Sequence, residues 1–167
     1  NFRIRGTDAN RTNVTLNGVP LNDAESHGTF FVDFPDLAST ISSVQIQRGV
    51  GTSTNGAGAF GASINMQTER TSSKPYADMS SSYGSFNTNK NTIQGGTGLI
   101  NNVFAFDARL SNVTSDGYID RAWVDMKSYY FSAGYYTPKT TIQFLTLGGK
   151  EKTYQAWNGV DAEKLKT

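Results

Sequence analysis

ISSVQIQRGVGTSTNGAGAFGASINMQT, residues 41–68, holds two alternating runs around a glycine-rich middle. Ser43-Val44-Gln45-Ile46-Gln47-Arg48 alternates polar with apolar side chains and stops at Gly49, the pattern of a half-buried strand. Ser63-Ile64-Asn65-Met66-Gln67-Thr68 alternates again. Between them lie mostly Gly, Ser, Thr and Ala. A phosphate-cradling loop is the sharpest reading of such a middle, but that chemistry needs a Gly-Lys-Ser/Thr run, and the stretch has no lysine. Gly49, Gly51, Gly56, Gly58 and Gly61 are therefore read as serving backbone geometry and close approach.

Upstream, short runs of the same kind are cut by Gly, Asn and Asp. Phe2-Arg3-Ile4-Arg5 ends at Gly6, and Asn13-Val14-Thr15-Leu16 turns at Asn17-Gly18, a strong hairpin signal because both residues accept positive φ. Pro20 follows and disfavours a central strand position. Residues 22–34 read as a loop with an aromatic tip at Phe30-Phe31-Val32. Asp36 to Ser42 reads as a short helix with Pro35 near its start.

Downstream the character changes near Thr71-Ser72-Ser73-Lys74-Pro75, and the segments lengthen into an antiparallel meander. From Asn102 to Val113, Phe104, Phe106, Ala108 and Leu110 take one side, while Ala105, Asp107, Arg109 and Ser111 take the other. Lys127 to Thr137 repeats this, with Tyr129, Phe131, Ala133 and Tyr135 against Ser128, Tyr130, Ser132 and Gly134. Weaker alternation runs through 76–83, 90–99 and 140–147. Tilted strands of roughly 9–11 residues are what an outer-membrane barrel needs. Gly98–Asn102 and Thr137–Lys139 are expected as tight turns, and Ser115–Asp125 and the tail from Gly148 as long loops. Such a rim asymmetry marks a transmembrane barrel. Tyr83, Phe86, Tyr118, Trp123 and Trp157 fall near strand ends, where aromatic girdles sit. A soluble or surface-anchored β-sandwich that binds carbohydrate has the same periodicity, so alternation alone leaves both readings open.

Composition narrows the classes. The apolar fraction is 37% and the charged fraction 17% of 167 residues, both low for a soluble enzyme core, while aromatics reach 12%. Net charge is +1 with no basic run, which gives no case for nucleic acid. The absence of cysteine excludes thiolate metal sites and disulfides, and His27 is the sole histidine, so no cofactor or metal centre is expected. Neither a signal peptide nor an apolar run of roughly 20 residues is present. Both ends read as cut, and the chain is taken as a fragment whose targeting signal lies upstream.

FRIRGTDANRTNVTLNGVPLNDA, residues 2–24, resembles the plug domain of TonB-dependent outer-membrane receptors, in which an Ile-Arg-Gly motif precedes a hairpin closed by a (D/N)GVP turn. Residues 41–68 resemble the end of that plug, with its Arg-Gly strand end, YGxGAxGGxIN stretch and final strand. SYGSFNTNK, residues 82–90, resembles the outward tip between the first two barrel strands. The likeness runs in order from Phe2 to Asn91. Departures are Asn17 for the usual Asp, Phe60 within the Gly-Ala stretch, and Asn55 where Tyr often stands. GGKEKTYQAWNGV, residues 148–160, is similar in style to receptors of the Bacteroidota.

The resemblance implies a mainly β chain: the C-terminal half of a small α+β plug in 1–70, a linker at 71–75, and from 76 to 167 about five strands opening a transmembrane β-barrel. It implies a place in the bacterial outer membrane and energised uptake of a scarce nutrient, with an iron-siderophore-type complex favoured. The implied partners are outer-membrane lipid, the transported ligand, and a TonB-type inner-membrane protein whose contact peptide lies outside this chain. No bond of the cargo need break, so no catalytic residue is expected. Plug arginines at such motifs latch onto barrel glutamates, which makes Arg5 and Arg48 the latch candidates, with plain surface charge as the competing reading. Gly6, Gly18, Gly49, Gly56, Gly58 and Gly61 are the plug's geometry glycines. Glu25, His27, Phe30 and Phe31 lie on a loop that the resemblance puts on the substrate side, where ligand contact competes with simple solvation. Trp123 and Trp157 are candidates for stacking on a ligand or for anchoring at the interface. Asp107 and Arg109 read as lumen-facing wall residues, and Asp116 and Asp120 lack the spacing of a calcium loop.

Overall fold

A computed structural model describes residues 3–4, 6–50, 59–68 and 72–154. The chain divides into two compact units, Asn1–Arg70 and Thr71–Thr167.

The first unit is built on four strands: β1 (Thr12–Leu16), β2 (Val19–Pro20), β3 (Ile41–Arg48) and β4 (Ala62–Thr68), in the order β2-β1-β4-β3. β1 and β2 form the hairpin expected at Asn17-Gly18, where φ is +51° and +83°, so the turn takes the left-handed conformations that suit a right-twisted hairpin. β3 and β4 pair antiparallel, whereas β1 and β4 pair parallel from Thr12↔Ala62 to Leu16↔Met66. Flanked on both sides, β1 is buried along its whole length. Its register sets Val14 and Leu16 beside Ile64 and Met66 on one face, with Val44 and Ile46 of β3 continuing the row. β3 is an edge strand, and there Val44 and Ile46 remain more than half exposed. The expected helix over 36–42 shrinks to one 3-10 turn at Leu37–Thr40. Asp36 adopts a left-handed φ of +52° and Ile41-Ser42 already pair with β4, so neither end is free to be helical. Ile4 and Thr7 bridge across Gly6, whose φ is +75°.

The second unit is an antiparallel meander of β5 (Tyr76–Gly84), β6 (Thr88–Gly96), β7 (Phe104–Ser115), β8 (Val124–Tyr136) and β9 (Thr141–Thr153). β5 and β9 are its edges, so the sheet is open. Two expectations change. Residues 148–153 are strand rather than loop, because pairing with β8 continues through Lys127↔Lys150 to Val124↔Thr153. The connections also divide less cleanly into short and long than expected, since 97–103 is nearly as extended as 116–123, while 85–87 is short, as its sequence suggests.

The faces of this sheet are the reverse of a soluble protein's. Along β7 the even-numbered Phe104, Phe106, Ala108 and Leu110 are exposed, while Ala105, Asp107, Arg109 and Ser111 are buried. β8 repeats the pattern with Tyr129 and Phe131 exposed and Ser128, Tyr130 and Ser132 buried. Register carries the apolar side across neighbouring strands in rows: Met79–Ile93–Leu110–Tyr129, then Ala77–Gly95–Ala108–Phe131. Next come Phe106–Ala133–Phe144 and Phe104–Tyr135–Ile142. Rings meet across strands at Phe104–Tyr135 (centroids 5.2 Å apart) and Phe131–Phe144 (6.4 Å). On the other face, Tyr76 donates its hydroxyl to Asp107 at 3.2 Å, and Gly96 leaves the space that Asp107 and Tyr76 occupy.

Candidate functional site

In the first unit the candidate residues cluster around the strand ends and one loop. Arg48 closes β3 opposite Ala62 and is exposed. Gly49 follows with φ +88° and donates its N–H to the Gly61 carbonyl at 2.8 Å, while Gly61 donates to the Arg11 carbonyl at 2.7 Å. Gly61 packs so closely on Thr7 and Arg11 that a side chain there would strike the Thr7 hydroxyl. Arg3 and Asp8 form an ion pair at 3.3 Å that is largely solvent-exposed. Arg11, Asp8, Thr7, Gly6 and Phe60 line an open depression. Arg5, Gly51, Gly56, Gly58 and Trp157 lie outside the described residues.

The loop over 22–34 is ordered by two side chains that sequence reasoning passed over. Asn22 accepts the Val14 N–H at 2.8 Å and donates to the carbonyls of Thr12 and His27 at 2.9 Å each. It thereby ties the Thr12–Val14 part of β1, which the short β2 does not reach, to the loop and holds His27 in a left-handed conformation, φ +58°. Asp23 accepts from the Ser26 N–H (2.7 Å), the Ser26 hydroxyl (2.9 Å) and the Glu25 N–H (3.1 Å). An Asn-Asp pair after a hairpin hints at local capping, but nothing in the sequence marks the Asn22 bonds to β1. Glu25, His27, Phe30 and Phe31 are all exposed on this one loop, with Phe30 at 53%. Asn17 is a second missed clamp: its amide donates to the Thr68 hydroxyl at 2.9 Å and accepts the Thr68 N–H at 3.0 Å, securing the hairpin to the end of β4.

The backbone N–H and hydroxyl of Ser26 hold the Asp23 carboxyl below its ordinary value of 3.8, helped by the Glu25 N–H and nearby His27. A carboxylate whose pKa is lowered by folding stabilises the fold above its unfolded pKa and loses that contribution as pH falls through the folded value. The Ser26 and Glu25 amides are accordingly expected to lose hydrogen-exchange protection as pH drops from 3.8 downward, and to stay protected between pH 5 and 7. Unchanged protection down to pH 2 would show that the carboxylate does not order the loop.

In the second unit the rim at the β5–β6 tip is cross-linked to the β7–β8 connection. Phe86 and Asn87 both hold left-handed φ, and Asn87 bridges the Tyr83 hydroxyl (3.0 Å) and the Asp116 carboxylate (2.6 Å). The Phe86 and Tyr118 rings meet edge to face at 5.4 Å. Trp123, 42% exposed, sits in the 116–123 connection, and its carbonyl receives the Tyr154 N–H and the Thr153 hydroxyl. Asp116 thus holds the rim together through Asn87. Among the described residues no group of three His, Cys, Asp or Glu is placed to hold a metal ion. No helix among them is long and apolar enough to cross a membrane, a test that does not bear on strands.

Residues 1–63 match the family model of the TonB-dependent receptor plug domain. The chain is also similar to solved structures at low identity. The pyoverdine outer membrane receptor FpvA from Pseudomonas aeruginosa PAO1, bound to pyoverdine, is 17% identical with a TM-score of 0.69, over 86% of this chain and 21% of that one. The siderophore receptor PiuA from Acinetobacter baumannii is 19% identical with a TM-score of 0.67, over 90% of this chain and 20% of that one. For the siderophore receptor PirA from Pseudomonas aeruginosa the values are 16% and 0.64, over 90% and 29%. No curated protein matches. The chain therefore spans about a fifth of the length of the first two receptors, and at these identities the likeness establishes the fold: part of a plug and the first antiparallel strands of a barrel that does not close within this chain.

Proposed function

We propose that this chain is the C-terminal part of the plug (1–70), a linker (71–75) and the opening wall (76–167) of a TonB-dependent receptor, which takes up an iron-siderophore-type complex across the bacterial outer membrane. The observation that carries this reading is the inverted sheet of the second unit, with Leu110 at 63% exposure beside Arg109 at 5%. Exposed apolar rows gain nothing in water, but facing lipid they are matched to their solvent, with the polar row turned to a wet lumen. The sandwich alternative would cover Phe104, Phe106 and Leu110 with a second sheet, and these remain exposed.

In this reading the protein is a transporter and not an enzyme. The plug closes the lumen, and a TonB-type partner draws on the proton-motive force to move it. Arg48, exposed at the end of β3, and Arg5 are the residues we assign to latching the plug on carboxylates of the barrel wall beyond this chain. Glu25, His27, Phe30 and Phe31 form the plug surface offered to cargo, and Trp123 stands at the outer rim. The cargo class is supported by the kind of receptor that the fold resembles, and the Bacteroidota style of residues 148–160 by residue style alone.

Cells expressing the full-length receptor are expected to accumulate a labelled ferric siderophore, and an uncoupler is expected to abolish accumulation while leaving surface binding. Cargo that binds but never accumulates, energised or not, would replace this reading with a binding module. Accumulation of cobalamin or an oligosaccharide instead would keep the transporter and change its substrate.

A further inference from the structure

Beyond the apolar rows, the outward face of the second unit changes abruptly at one register step. The row Met79–Ile93–Leu110–Tyr129–Gly148 is followed two residues along by Ser81–Asn91–Asn112–Lys127–Lys150, and then by Tyr83–Asn89–Thr114–Asp125–Lys152. Lys127 and Lys150 are therefore direct cross-strand partners on the same outward face, both exposed. Directly opposed like charges destabilise an antiparallel pair. Lys152 adds a third cation one step further, opposite Asp125, the one carboxylate on this face of the two rows. Glu151 alternates to the inner side. Among the described residues no carboxylate lies within ion-pair distance of the Lys127 or Lys150 ammonium. Among the described residues no ion pair thus offsets the repulsion, and the position at the edge of the apolar band says what would.

We infer that Lys127 and Lys150, with Lys152 beside them, form a docking site on the outside of the wall for the phosphate groups of an anionic lipid. The argument rests on the receptor reading above, which turns this face to the bilayer and puts the Phe86 rim at its outer surface. The lipid's acyl chains lie along Ile93, Leu110 and Tyr129, and its phosphate sits between the two ammonium groups. One phosphate held by both converts their repulsion into two charge-assisted contacts. Charge complementarity and continuity with the apolar rows favour a lipid headgroup over free phosphate, which would gain nothing from those rows.

The test uses the full-length receptor in neutral detergent micelles, titrated with lipid A carrying both phosphates, with the same lipid stripped of them, and with inorganic phosphate. Wild type is expected to hold the phosphorylated lipid about twenty-five-fold more tightly than Lys127→Gln/Lys150→Gln, since each surface cation near anionic lipid contributes about a factor of five. Lys127→Arg/Lys150→Arg should retain binding, stripped lipid should not distinguish the variants, and excess inorganic phosphate should fail to displace the lipid. Without lipid, the glutamine variant should melt no lower than wild type, because a repulsion has been removed. Equal binding of phosphorylated lipid by the glutamine variant, displacement by inorganic phosphate, or a lower melting point without lipid would each overturn the proposal. A receptor that inserts and accumulates cargo but binds lipid regardless of these lysines sinks this inference alone. A receptor that never inserts removes the reading beneath it as well.

Discussion

Phe131→Arg is expected to destabilise the membrane-inserted receptor by about 2–4 kcal/mol, the cost of placing a guanidinium on the lipid face of a barrel near mid-depth. Phe131 belongs to the inner pair of four apolar rows and lies between Ala108 and Thr146 across the strands. Its ring also meets Phe144, and losing such a pair costs about 0.5–1.5 kcal/mol more. The matched control is Gln143→Arg, one residue before Phe144 on β9 and so on the opposite face, where an added charge meets a polar lumen. That change is expected to stay within about 0.5 kcal/mol. Denaturant midpoints in lipid vesicles, read beside heat-dependent gel mobility, separate the two. If both variants unfold at the same midpoint, the face with Phe104, Phe106 and Leu110 does not meet lipid.

The second large effect is expected at Gly61. Its φ is ordinary, so the demand for glycine comes from space. A Cβ would strike the Thr7 hydroxyl and press on the Arg11 carbonyl at 3.1 Å. Thr7 cannot swing away cheaply, because that hydroxyl donates to the Ile4 carbonyl at 2.6 Å. Gly61→Val is therefore expected to destabilise the first unit by about 1–3 kcal/mol, as overpacking of a close contact does. The Gly49–Gly61–Arg11 backbone bonds should be the first to lose hydrogen-exchange protection. Thr7→Ala combined with Gly61→Ala should recover most of the loss that Gly61→Ala shows alone. No recovery would mean that the Arg11 carbonyl, and not Thr7, sets the limit.

These two positions differ in how visible they were. The alternation through 104–110 and 129–135 gives the faces directly, because side chains on a strand point to opposite sides at every step. Gly61 stood out only as one glycine among many in 49–61, and the Thr7 contact that makes it special joins residues 54 apart in the chain. Arg48 and Gly49 were legible as a strand end, since alternation stops there. The loop candidates Glu25, His27, Phe30 and Phe31 were readable as exposed loop residues. The side chains that order the loop, Asn22 and Asp23, were not, because Asn22 works through bonds to β1 that no local pattern announces. Gly148 to Thr153 misled for a related reason. Glycines and lysines read as loop, yet the partner strand β8 supplies hydrogen bonds regardless of side chain.

By itself the sequence determined the Asn17-Gly18 turn, the alternating strands and which residues share a face, because these depend on φ preferences and a two-residue period that are local to the chain. Tertiary structure alone decided that β1 runs parallel to β4, that Asn17 and Asn22 clamp distant backbone, and that Lys127 stands opposite Lys150. It also decided which face of the meander stays exposed: Leu110 and not Arg109. The physical reason is common to all of these. Periodicity fixes the two faces of a strand, but register and partner are set by hydrogen bonds between strands, and a one-residue slip would exchange the exposed apolar side chains of β7 for its buried, mostly polar ones.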